Sequence, residues 1–140
     1  MIVLDTNVIS EVMRVDPDPE VLAWLDRQPP SSLFTTAISE AEIRAGIGFL
    51  DSGRRKRGLI AAADRAFYIL FSGRVLPFDS RAAPTYADIA ADRRAVGRPI
   101  SQADCQIAAI TRSRGASVAS RDTGGFAHCG VEVIDPWSPT

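Results

Sequence analysis

The chain has 140 residues, 46% hydrophobic and 24% charged, with a formal net charge of −1 and a pI near 5.8. That balance suits one globular domain, residues 1–140, built on one core. It excludes a disulfide scaffold, a membrane span, and nucleic-acid binding driven by bulk positive charge.

Ile2-Val3-Leu4 reads as a buried strand that stops at Asp5-Thr6-Asn7, with a short helix following through Val12. Asp16-Pro17-Asp18-Pro19 breaks the chain, and Asp18 or a neighbour should cap a second helix carrying Val21, Leu22, Trp24 and Leu25. Pro29-Pro30-Ser31-Ser32 ends it. Leu33 to Thr36 is a second strand, and Ile38 to Leu50 a strong helix. A long helix is expected from Arg55 to Phe71, stopped by Gly73. Val75 to Phe78 is a third strand, weakened by Pro77. Asp79-Ser80 should cap a helix through Val96, and Ser101 should start one that reaches Arg114. Ala116 to Ala119 and Val131 to Ile134 complete five short strands. Strands alternating with helices predict an α/β fold with a parallel sheet covered on both faces.

Four acids fall where a soluble fold does not ordinarily place them, since an inward carboxylate is costly unless paired, neutralised or metal-bound. Asp5 follows the first strand directly and Asp122 follows the fourth by a few residues, so both lie on the sheet edge where ligands gather. Each also suits a helix cap. At 100° per residue Ile38, Ala41, Ala45 and Phe49 share a face, and Glu42 falls in the middle of that arc. Glu40 falls opposite, four before Arg44, as a solvated ion pair. Asp104 lies on the stripe of Ile107, Ala108 and Thr111, and three after Ser101 as in a capping box. Gathered together, these acids would repel one another and raise at least one pKa. Magnesium or manganese, hard ions that take oxygen ligands, relieves the repulsion and activates water for phosphodiester hydrolysis. The single histidine, His128, offers little for a histidine-based site.

These residues carry a resemblance. Met1-Ile-Val-Leu-Asp-Thr-Asn7, Ala41-Glu-Ile-Arg-Ala-Gly46, Ala103-Asp104 and Ser120-Arg-Asp-Thr-Gly-Gly-Phe126 stand in the order found in PIN-domain ribonucleases, and the chain resembles the VapC/FitB-type toxins among them. The resemblance implies a three-layer α/β/α sandwich with a central parallel sheet, magnesium-dependent endonuclease activity on RNA, a homodimer, and an antitoxin that inserts a segment, often an arginine, near the acids. It maps metal-binding acids onto Asp5, Glu42, Asp104 and Asp122, with Thr6, Asn7 and Ser120 in support.

Arg121 and Arg44 are candidates for phosphate or partner contact, Arg44 equally for surface pairing. Arg54 to Arg57 reads as a solvated helix start rather than an RNA patch. Trp24 and Trp137 suit core packing or an interface better than base stacking. Cys105 and Cys129 suit buried thiols in a reducing cytoplasm. Two rivals stand beside the ribonuclease reading. One is a small-phosphate phosphohydrolase with Asp5 as nucleophile, for which the expected second acid is replaced by Asn7. The other is a non-catalytic module that receives an arginine-bearing peptide at the acids.

Overall fold

The apolar run after Met1 becomes the middle of a sheet. In the computed structural model, which describes residues 1–139, β1 (Ile2–Leu4) lies between β2 (Leu33–Thr36) and β4 (Ser117–Ala119). β3 (Val75–Leu76) flanks β2, and β5 (Val133–Ile134) flanks β4. Each of these pairings is parallel. From β1 the chain builds outward through β2 and β3, then returns to the other side of β1 for β4 and β5. The direction of building therefore reverses at β1. At such a switch point the loops after neighbouring strands diverge and leave a crevice at the carboxyl ends.

Among the described residues six α-helices cover the sheet: α1 (Thr6–Val12), α2 (Pro19–Asp26), α3 (Ala37–Gly48), α4 (Arg54–Asp64), α5 (Ala83–Ala95) and α6 (Gln102–Ser113). Successive strand residues point to opposite faces. Val3 and Val118 join Ile89 of α5 and Ile107 and Ile110 of α6 on one side. Leu4 and Ala119 join Val8, Ile9, Trp24, Ile43, Ile47 and Phe67 on the other. Two apolar clusters on one sheet make the three-layer α/β/α sandwich. Among the described residues no helix is long and apolar enough to cross a membrane.

Several boundaries differ from expectation: β5 begins at Val133 rather than Val131 and α3 ends at Gly48 rather than Leu50, and three further differences have a clear cause. The third strand ends at Leu76, because Pro77 has no N–H to continue the ladder. The helix expected over 55–71 is α-helical only to Asp64. A π-helical turn, Arg65–Leu70, follows, marked by the Phe71 N–H donating to Ala66 O over 2.8 Å. α5 starts at Ala83 rather than after Asp79-Ser80. Pro84, whose φ is pre-set for a first turn, begins the helix, while Asp79 Oδ1 accepts from Ala82 N (3.2 Å) in the turn before it.

Candidate metal centre

Asp5 extends the ladder one residue past β1, its N–H donating to Ala119 O over 2.9 Å. This fixes it at the carboxyl end of the central strand, 5% exposed. Its Oδ1 accepts from Thr6 N (2.8 Å) and its Oδ2 from Ser120 Oγ (2.8 Å). The Ser120 hydroxyl has one proton and gives it to Asp5. Its lone pairs accept from Asn7 Nδ2 (3.1 Å) and Asp122 N (3.0 Å). One buried serine thus joins the end of β1, the start of α1 and the loop bearing Asp122. Asn7 is committed to this support, its Oδ1 accepting from Arg121 N at 3.4 Å.

Glu42 reaches the site by a route that helix phase did not indicate. The buried stripe of α3 is Ser39, Ile43 and Ile47, and Phe49 is 87% exposed. Ala41, Glu42 and Ala45 are exposed and Glu40 is half-buried, so the expected inward face is displaced. The cause is polar. Ser39 is buried because its N–H donates to the cap residue Thr36 (3.0 Å) and its hydroxyl lies 2.9 Å from Thr6 Oγ1. That turns the neighbouring edge of α3 toward α1, where Thr6 Oγ1 donates to Glu42 Oε1 over 2.7 Å. Glu40 instead forms the expected pair with Arg44 (2.8 Å), half-buried rather than solvated.

Asp104 sits in the first turn of α6, its N–H capped by Ser101 Oγ at 3.2 Å, so the cap and pocket roles coexist. Asp122 is exposed, and its Oδ1 accepts from Gly125 N (2.9 Å). A Cβ on Gly125 would run into the Asp122 carboxylate, so a larger residue there would push Asp122 out of this position. The other side of the Gly125 peptide is held by Arg93, a buried residue of α5. Its Nη1 donates to Gly125 O (2.6 Å) and Ala127 O (3.0 Å), and its Nε to Arg98 O (2.6 Å). Nothing in the sequence marked Arg93, since a lone arginine in a polar helix has no signature of burial.

Asp5, Glu42, Asp104 and Asp122 all line one open pocket of about 500 Å3, together with Thr6, Asn7 and Arg121. Burial pushes the Asp5 carboxyl up to about 6, aided by the Asp104 and Glu42 charges and opposed by the Ser120 and Thr6 hydrogen bonds. Burial, with the Asp122 and Glu42 charges, also holds Asp104 above the ordinary carboxylate range, against Ser101 and the Arg93 charge. Among the described residues none of the four is in a salt bridge. Nor do any three acidic, imidazole or thiol groups there form a ready-made ion cage. The acids share the pocket without closing it.

Arg44 is elsewhere. It pairs with Glu40 and Asp64 and its guanidinium carbon lies 5.6 and 5.0 Å from the Phe67 and Tyr68 ring centroids. It is a structural clamp between α3, α4 and the π turn, with no part in this pocket. Arg54, Arg55 and Arg57 are exposed at the start of α4 and do not line it either. Trp137 packs against the core and also lines the pocket, as do Glu11 and Arg14, which the sequence pattern did not single out. Glu11 lies three after Val8 and one before Val12, on the apolar stripe of α1, and that spacing was the available signal.

The family profile described as PIN domain matches residues 2–131. The chain belongs to the PIN-domain family. Within it, the chain is 42% identical over 139 residues to VapC ribonuclease Y4jK of Sinorhizobium fredii, covering 99% of each. It is also 42% identical over 137 residues to Toxin FitB of Neisseria gonorrhoeae, covering 98% of this chain and 99% of that one. The solved structure of FitAB bound to an IR36 DNA fragment superimposes with a TM-score of 0.93 at 41% identity, covering 100% of this chain and 98% of its counterpart.

Proposed function

We propose that the chain is the toxin of a toxin–antitoxin pair and an endoribonuclease dependent on magnesium, or manganese in its place. The observation that carries this reading is Asp5. It is a buried carboxylate lifted to about 6, sharing its pocket with three further acids that have no cation for a partner among the described residues. The donors are hard oxygens, which suit these ions. Magnesium keeps several of its waters and binds through one or two carboxylates, which fits acids that share a space without forming a cage. When bound, such an ion supplies Lewis acidity toward a phosphate and lowers the pKa of water.

The chain's own residues supply orientation. Asp5 and Asp104 are the central ligands, and Glu42 and Asp122 complete the set directly or through water. Thr6 steers Glu42, Ser120 couples Asp5 to the Asp122 loop, and Asn7 fixes Ser120. Arg121, at the same pocket, contacts substrate phosphate. The names VapC ribonuclease and Toxin FitB among the relatives support the activity and the pairing with an antitoxin. An antitoxin arginine entering the pocket would satisfy the same carboxylates. A homodimer belongs to this reading.

The test has two arms. Expressed without a co-transcribed small partner, the chain should arrest growth and create new RNA 5′ ends, both of which the partner suppresses. Purified, it should cleave RNA with magnesium or manganese and stop with chelator, and Asp5→Asn should be inactive yet folded. Cleavage by Asp5→Asn at the parent rate would sink the site assignment.

A further inference from the structure

The pocket is larger than an ion needs. It measures about 500 Å3, whereas a cation with six waters, at about 30 Å3 per water, takes roughly 200 Å3. Its lining is also of two kinds, because Arg14, Arg121 and Trp137 join the four acids there. Neither arginine pairs with those acids among the described residues.

Each arginine is instead held from behind. Arg14 Nη1 lies 3.3 and 3.2 Å from the two carboxylate oxygens of Glu11. The Glu11 side chain is only 7% exposed, against 65% for Arg14. Glu11 Oε2 also accepts from Asp18 N (3.1 Å), which ties it to the start of α2. The Arg121 guanidinium carbon lies 5.1 Å from the Trp137 ring centroid. Trp137 is seated by its backbone N–H donating to Asp135 Oδ1 (2.9 Å) and by packing on the core. Two pre-positioned cations that leave adjacent carboxylates unpaired are placed for an anion that arrives with the substrate.

We propose that Arg14 and Arg121 form a subsite for the phosphate of a nucleotide adjoining the scissile bond in single-stranded RNA, with Glu11 and Trp137 as positioning residues. This rests on the ribonuclease reading. A guanidinium presents planar, paired donors to a phosphate. One backed by an aromatic ring also offers its outer face to an unstacked base, which a single strand exposes and a duplex does not. The arrangement supplies substrate affinity to a chain whose net charge of −1 gives none in bulk.

Binding is measured in the Asp5→Asn background, without turnover, using a fluorescent single-stranded oligoribonucleotide of mixed sequence across a salt series. Adding Arg14→Gln and Arg121→Gln together should weaken binding about tenfold and flatten the log K against log salt slope by about 0.7 for each phosphate no longer neutralised. Arg14→Lys with Arg121→Lys should restore the slope. Arg54→Gln with Arg57→Gln removes the same charge outside the pocket and should change neither quantity. In the active parent, Trp137→Leu should raise KM with kcat held and Trp137→Phe should restore KM, a split that general loosening of the fold does not produce. Unchanged affinity and slope in the double glutamine variant, or no RNA binding by Asp5→Asn at all, overturns the subsite. Failure of the parent to cleave any RNA sinks the ribonuclease reading instead, and the salt series still judges the subsite.

Discussion

Glu40 and Glu42 lie two residues apart on α3 and have opposite fates. Glu40 is bonded to Arg44, which also holds Asp64 and lies against two aromatic rings. Glu42 meets only a threonine hydroxyl and faces Asp5 and Asp104 across a shared field. In the first cluster a protein cation sits between the two carboxylates. Among the described residues none of the second cluster's four acids is bonded to a protein cation, and burial raises the pKa of Asp5. A carboxylate with a protein cation beside it is explained by stability. A buried carboxylate that shares its pocket with three more acids and is bonded to no cation calls for a ligand.

The contrast can be broken in four ways. The largest effect is expected from Asp5→Asn, which should cut RNA cleavage roughly 10³-fold, the rate equivalent of several kcal/mol of transition-state stabilisation, with the circular dichroism spectrum kept. Next is Arg93→Met, which leaves the carbonyls of Gly125, Ala127 and Arg98 without their donor. It should cost about 3 kcal/mol in denaturant unfolding, and manganese affinity measured by calorimetry should fall as Asp122 loosens. Third is the pH dependence of the metal-free chain. Asp5 titrates near 3.8 unfolded and about 6 folded, so the folded chain holds the extra proton between those values. The stability it contributes is complete below the lower value and is lost as pH rises through 6. In chelator at neutral pH, Asp5→Asn should therefore unfold later than the parent by about 2 kcal/mol, with the gap closing toward pH 4. An equal gap at both pH values would show that Asp5 is not the titrating group. The smallest effect compares the two glutamates. Glu40→Gln should lower stability by about 1 kcal/mol and leave cleavage intact, whereas Glu42→Gln should do the reverse, lowering cleavage while the melting temperature stays.

The architecture was legible because its signals are local. Ile2-Val3-Leu4 ends on an acid, prolines and glycines punctuate the helices, and alternation of element types implies a parallel sheet. The placement of Asp5 at the carboxyl end of β1 and of Asp122 beyond β4 followed from the same logic. Helix phase failed on α3 because alanine is nearly indifferent to burial, so Ala41 and Ala45 defined a false face while Ser39, with its hydrogen bonds satisfied, went inside. Arg93, and the place of Trp137 beside Arg121 at the pocket, were not legible for a different reason. Their roles depend on partners in distant elements, and no spacing within α5 or the C-terminal segment encodes those contacts. The π turn leaves no trace in a pattern counted at 3.6 residues.

The central position of β1 also sets a timetable. Asp5 is translated 115 residues before Ser120, the residue that donates to its carboxylate, and β4 is what encloses the strand on that side. At about 5 to 20 residues per second the ribosome takes roughly 6 to 23 s to make that stretch. Until β4 is made, neither the sheet around β1 nor the Asp5–Ser120 bond can be complete. The acidic centre is therefore complete only once the last quarter of the sequence lies beside the first.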